Sequence, residues 1–163
     1  MQVSTQSLPE SRRVEVLKNL RILDTEPELC FNVIVNLAAQ SLDTPMSAIG
    51  LIDDTRQWFK ASKGISVSQT SRSAAFCIYT IEGTGVLAVP DALEDPRFRD
   101  NPYVQGEPRI RSYLGHPLCV QGQAIGALCV MDTRPRQFTP EQVALFQKLA
   151  RAAEDFLNVN GPW

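Results

Sequence analysis

The sequence predicts a mixed α/β fold of the α+β kind, formed by one domain over residues 1–163. Three observations carry this. Apolar residues recur at helical spacing at both ends of the chain, and two pairs of apolar runs between them, residues 46–61 and 110–131, are each broken by a short turn, as antiparallel hairpins are. No repeat, low-complexity tract or linker divides the chain. With 163 residues, 44% of them apolar, the core can hold the fold without a metal or a disulfide.

Ser7-Leu8-Pro9-Glu10 has the form of a capping box, and Val14, Leu17 and Leu20 follow at helical spacing, so a first helix is expected to about Leu23. The same signature at Thr25-Glu26-Pro27-Glu28 opens a second helix to about Ser41, with Leu29, Val33, Ile34, Leu37 and Ala38 as its apolar stripe. Pro45 stops any continuation. Met46 to Ile52 and Arg56 to Ala61 form a hairpin around Asp53-Asp54-Thr55, on which Trp58 and Phe59 must face opposite sides. Ser73 is expected to cap a short helix carrying Ala75, Phe76, Tyr79 and Ile81, which Gly83-Thr84-Gly85 ends before a short strand from Val86 to Val89. Residues 90–108 hold four prolines and little periodicity, and a loop of that length inside a domain is usually functional or poorly ordered. Ile110 to Val120 and Ala124 to Met131 form the second hairpin, about Gln121-Gly122-Gln123. Both of its alternating sets are apolar, so both faces of the sheet centre are covered. Thr139-Pro140-Glu141-Gln142 caps a long amphipathic helix to about Leu157.

A net charge of -2 lacks the basic excess that nucleic acid requires of a partner. No apolar run approaches the ~18 residues of a membrane span, and the polar start has no secretory pattern, so a cytoplasmic protein is expected. The four cysteines, Cys30, Cys77, Cys119 and Cys129, form no C-x-x-C pair and have one histidine, His116, for company, which is not a zinc spacing. Strand geometry keeps Cys119 and Cys129 apart, and all four are expected as free thiols. With a single histidine, no glycine-rich phosphate loop and scattered carboxylates, no catalytic constellation stands out.

Arg21 to Glu28, the hairpin Leu51 to Ala61, Phe76-Cys77, the stretch Asp91 to Pro102, Arg111 to Leu118 and Gly126 to Asp132 occur in the order seen in bacterial GAF domains. Over roughly Arg21 to Leu157 the chain resembles the subgroup found at the amino end of sensor kinases and diguanylate cyclases, or standing alone. The resemblance implies a central antiparallel sheet with the first, second and last helices on one face and a ligand pocket under loops on the other. One departure is Tyr79, where members of the subgroup often carry histidine. The Cys-His dipeptide of bilin-binding members and the Asn-Lys…Phe…Asp-Glu signature of cyclic-nucleotide members are missing, haem would rest on His116 alone, and no cofactor is expected.

The implied function is a non-catalytic sensory domain that binds an unidentified small molecule and signals through its terminal helices to a kinase or cyclase output domain. The candidate ligand-binding residues are Asp91, Arg111, Tyr113, Tyr79, Cys77 and Tyr103. Asp91 and Arg111 sit where strands meet the long loop, and arginine's planar fork suits carboxylate or phosphate. The tyrosines present an apolar ring and a hydroxyl, the usual wall of a small-molecule site, with core packing as the competing role. Two alternatives remain: an enzyme resembling the free methionine sulfoxide reductases, which share the fold and use cysteine, and an interaction module with a vestigial pocket. Finally, the last helix carries two apolar stripes. Val143, Phe146, Ala150, Ala153 and Leu157 suit the sheet, while Leu145, Leu149, Ala152 and Phe156 suit the first helix or its copy in a homodimer.

Overall fold

The computed structural model describes residues 8–159, so the capping role of Ser7 lies outside the described residues. Five helices and six strands follow in the order α1 (Leu8–Asn19), α2 (Leu29–Leu42), β1 (Met46–Ile52), β2 (Arg56–Lys63), β3 (Gln69–Ser71), α3 (Cys77–Thr80), β4 (Leu87–Val89), α4 (Pro102–Gln105), β5 (Ser112–Val120), β6 (Gln123–Asp132) and α5 (Pro140–Val159). The strands form one antiparallel sheet in the order β3-β2-β1-β6-β5-β4.

Alternation along the central strands sorts the core into two layers. Ile49, Leu51, Trp58, Leu114, Leu118 and Val130 face α1, α2 and α5, whereas Met46, Ala48, Ile52, Tyr113, Ala127 and Cys129 face α3 and the long loop. Trp58 and Phe59 divide between these layers as strand alternation requires. Both faces are thus covered. The second hairpin turns on two residues, Gln121 (φ 52°) and Gly122 (φ 75°), rather than three; positive φ at both matches the right-handed strand twist.

Several local expectations yield to long-range contacts. The first helix stops at Asn19, four residues early, where Leu20 and Arg21 close a tight turn and Arg21 and Asp24 take positive φ. The box at Thr25 does not cap α2. Glu28 at that position makes no capping bond, because the buried Lys60 ammonium takes its carboxylate (2.7 Å), the Thr25 hydroxyl (2.8 Å) and the Glu26 carbonyl (2.6 Å). The inner face of α2 is Phe31, Ile34, Val35, Ala38, Ala39 and Leu42, while Leu29, Val33 and Leu37 are exposed. Ser73 lies inside a 3-10 turn, Arg72–Ala74, and caps no helix; α3 begins only at Cys77.

At the C-terminal end the capping box is realised: Thr139 N–H donates to Gln142 Oε1 (2.9 Å) and Gln142 N–H to Thr139 Oγ1 (3.1 Å). The stripe Phe146, Ala150, Ala153 and Leu157 is fully buried, and α5 lies on β5. Its second stripe meets α2 rather than the first helix: Phe156 stands edge-on to Phe31 at 6.1 Å, and α1 instead lies over β6. Leu145 and Phe156 remain substantially exposed.

Candidate functional site

On the face away from the long helices, the sheet and three loop segments line a partly open cavity of about 420 Å³, within the size range of small-molecule sites. The floor comes from Met46, Gln57, Phe59, Tyr113, Cys129 and Met131 on four strands. Thr70 of β3, residues 64–67 after β2, residues 74–77 around the start of α3, and Tyr103, Glu107, Pro108 and Ile110 of the long loop form the rest of the wall.

The long loop is ordered by its own hydrogen bonds. Asp91 Oδ1 accepts from Leu93 N–H (3.1 Å) and starts a second 3-10 turn, Ala92–Glu94; Asn101 accepts from Tyr103 N–H (2.8 Å) and starts α4 behind Pro102. Asn101 Nδ2 also donates to the Ala74 carbonyl (3.0 Å), which ties α4 to the segment entering α3. Beneath the loop, Phe98 stacks on Phe76 at 4.3 Å, and both are buried as core anchors.

Three of the six candidate residues, Cys77, Tyr103 and Tyr113, come together in the cavity wall. The others lie outside it. Arg111 donates to the carbonyls of Val104 and Ile110 (3.0 Å each), and so braces the loop. The Asp91 carboxylate serves its own turn. Tyr79 packs edge-on to Phe98, with the Arg97 guanidinium over its ring, and Arg97 forms a bidentate pair with Asp95. Gln57, Phe59 and residues 64–67 are wall residues that motif reading did not single out. For Phe59 a signal existed in its alternation with Trp58; the segment 64–67 has no comparable pattern.

Tyr113 is fully buried. Its hydroxyl lies 2.7 Å from Thr80 Oγ1 and 3.2 Å from Cys77 Sγ, joining β5 to α3. Burial pushes the Tyr113 hydroxyl well up in pKa. Cys77 is held below the ordinary thiol value by the Cys129 thiol beside it, against the effect of burial and with help from the Tyr113 hydroxyl. Cys129 is pushed well up in turn, by its interaction with Cys77 and then by burial. All four cysteines are free. Among the described residues no group of His, Cys, Asp and Glu could hold a metal ion, and no helix is long and apolar enough to cross a membrane.

The family model for the GAF domain matches residues 26–155. A cyclic di-GMP phosphodiesterase of Pseudomonas aeruginosa is 45% identical over 144 residues, which is 87% of this chain and 24% of that protein, so the chain spans about a quarter of its relative. Among solved structures, the GAF domain of an Acinetobacter phosphoenolpyruvate-protein phosphotransferase superposes with a TM-score of 0.66 at 21% identity, over 96% of this chain and 94% of that one. The free methionine-R-sulfoxide reductase of Neisseria meningitidis, in complex with its substrate, gives 0.64 at 18% identity, over 98% and 96%. At these identities the structural likenesses speak for the fold.

Proposed function

The chain belongs to the GAF domain family, and from that premise we propose that it is a non-catalytic sensory or regulatory domain of the cytoplasm. A small molecule enters the cavity between sheet and loops, and the change passes to a partner through the terminal helices. The observation that carries this reading is the apolar cavity, into which β1, β2, β5, β6 and the long loop all send side chains. Four free thiols accord with a reducing compartment.

A route outward is built into the wall. Residues 74–77 begin at the last residue of the 3-10 turn that holds Arg72, and Arg72 Nη1 binds both Glu10 of α1 and the Asp53 carbonyl (2.8 Å). Glu10 in turn grips Arg13, buried against the carbonyls of Ile52 (2.7 Å) and Ala124 (3.3 Å). Movement of the wall therefore bears on α1 through ion pairs rather than through loose loop. The output domain is a kinase, a cyclase or, on the strength of the relative described above, a cyclic di-GMP phosphodiesterase.

The homodimer of this proposal uses α2 and α5. The segment Leu29–Leu42 contains no charged residue, yet it exposes Leu29, Val33 and Leu37, and α5, which packs on it, exposes Leu145 and Phe156; these apolar residues suit a copy of the chain across a two-fold axis.

A second reading, a thiol reductase of methionine sulfoxide, draws on Cys77 and Cys129 standing in one cavity wall. It ranks second because, among the described residues, that wall offers no cation to an amino-acid carboxylate. A metabolite library followed by thermal melting separates the readings. A ligand at 100 times its dissociation constant adds about 2.7 kcal/mol and raises the midpoint by several degrees. A library that never shifts it refutes the sensory reading in favour of an interaction module, and turnover of methionine sulfoxide that is lost on Cys77→Ser promotes the enzyme.

A further inference from the structure

Two of the four thiols stand side by side at the cavity. Cys77, the first residue of α3, and Cys129 of β6 both belong to its wall, each 2% exposed, and a hydrogen bond joins them. Strand register brings Cys129 there, since it pairs with Ala48 on one side and Gly115 on the other, on the face that α3 covers. Because Gly115 has no side chain, the Tyr113 hydroxyl lies across it and reaches α3; a Cβ at that position would collide with both Tyr113 and the Thr80 hydroxyl. The Tyr113 hydroxyl ends 3.2 Å from Cys77 Sγ and 2.7 Å from Thr80 Oγ1. Cys30 and Cys119 are half-buried and lie outside this wall.

The two thiols are not equivalent. Cys77 Sγ is the point on which the Cys129 thiol and the Tyr113 hydroxyl converge. With Cys77 ionised, Cys129 and Tyr113 each donate to its sulfur and Thr80 donates to the Tyr113 oxygen, so every proton of the cluster has an acceptor. The displacement of the two thiols agrees: Cys129 holds Cys77 below the ordinary value, and Cys77 in turn pushes Cys129 above it. Cys77 is thus the nucleophile of the pair, and Cys129 is the thiol that can attack whatever Cys77 becomes.

We propose that Cys77 and Cys129 form a peroxide-reactive dithiol, which closes reversibly to a disulfide in the cavity wall. The ionised Cys77 sulfur attacks one oxygen of hydrogen peroxide. An S–O bond forms, the O–O bond breaks, and the departing hydroxide takes up the proton that Cys77 had released. Sulfur has given up two electrons, and peroxide has gained them. The Cys129 sulfur then attacks the sulfenic acid on Cys77; an S–S bond forms, the S–O bond breaks, and hydroxide leaves with the Cys129 proton as water. Two thiols and one peroxide thereby become one disulfide and two waters. A small dithiol reverses the change by exchange and ends as its own cyclic disulfide. The new bond ties α3 to β6 and draws Cys77 from the Tyr113 hydroxyl, so oxidation reshapes the wall that a ligand meets. No ligand takes part in the step, which goes beyond the sensory reading and does not depend on the molecule that the cavity binds.

The test treats the reduced full chain with a small excess of hydrogen peroxide at neutral pH, blocks the remaining thiols with iodoacetamide in urea and maps the peptides by mass spectrometry. A disulfide between Cys77 and Cys129 is expected, two hydrogens lighter than the reduced pair and reopened by dithiothreitol. It should form at least about tenfold faster than Cys119 oxidises, because the thiolate fraction changes tenfold per pKa unit, and burial, with Glu154, pushes Cys119 upward. Cys129→Ser should stop the reaction at a sulfenic acid on Cys77 that dimedone traps, and Cys77→Ser should leave Cys129 reduced. The wild-type map stands by itself should either variant not fold. Oxidation that begins at Cys30 or Cys119, or a pair that stays reduced, overturns the dithiol and leaves the sensory reading intact. Closure of the same disulfide by methionine sulfoxide faster than by peroxide overturns the choice of oxidant and favours the reductase reading instead.

Discussion

Replacing Glu10 with glutamine removes the charge at the junction between α1 and the turn that leads into the cavity wall. The carboxylate accepts from Arg13 Nε (2.9 Å) and Nη2 (3.0 Å) and pairs with Arg72 Nη1. The Arg13 hydrogen bonds are the largest cause of its low pKa; burial opposes them, Arg72 adds to them, and the result falls from the ordinary 4.5 to about 2. A shift of this size corresponds to ~3.4 kcal/mol at full strength. The side chain keeps 20% exposure, and solvent screening lowers the expected contribution to about 1–2 kcal/mol. Because the folded-state pKa lies below the unfolded one, this stability is complete above the ordinary value of 4.5 and is lost as pH falls from there through about 2. Urea unfolding of wild type and Glu10→Gln, repeated at pH 7, 4 and 2.5, measures the difference. Wild type should lead by about 1–2 kcal/mol at pH 7, with the gap closing toward the lowest pH. A gap that stays constant with pH, or none at pH 7, would refute the ion-pair account of this junction.

Tyr113→Phe should cost about 1–3 kcal/mol by urea unfolding, since it leaves the buried Thr80 hydroxyl without its 2.7 Å partner; adding Thr80→Val should cost far less than it does alone, and strict additivity would show that the two groups do not interact. Thr139→Ala should lose about 1 kcal/mol with the reciprocal cap of α5, and an unchanged denaturation midpoint would show that the cap contributes nothing. Leu37→Glu and Phe156→Glu place a charge on the exposed surface of α2 and α5. Sedimentation at micromolar concentration should then report a monomer where wild type is a dimer, and a wild-type monomer would remove that interface.

The candidate site was legible in part, and the division follows the range of the interactions. Cys77, Tyr103 and Tyr113 reach the cavity because their local frames, the start of α3, the first turn of α4 and alternation on β5, point them there. Asp91 and Arg111 bring charge to the junctions of strand and loop, but backbone groups of the loop itself engage them, as happens where a short irregular segment must satisfy its own amides and carbonyls. Gln57 enters the wall through its hydrogen bond to Thr70 and its fit over Gly50, contacts between strands that no local pattern specifies.

From the sequence alone came whatever local spacing specifies: both hairpins, the cap and buried stripe of α5, and the opposition of Trp58 and Phe59, because period-2 and period-3.6 patterns follow from backbone geometry. Resemblance to a family supplied the layer arrangement, with α1, α2 and α5 opposite the cavity. Only the tertiary structure decided which of two apolar faces α2 buries, since Leu29, Val33 and Leu37 keep as regular a spacing as Phe31, Ile34, Val35 and Ala38. It also decided that Lys60 takes the groups that would have capped α2, and that α5 meets α2 instead of α1. In each of these cases the local pattern allows more than one arrangement, and a contact between residues distant in the chain selects one.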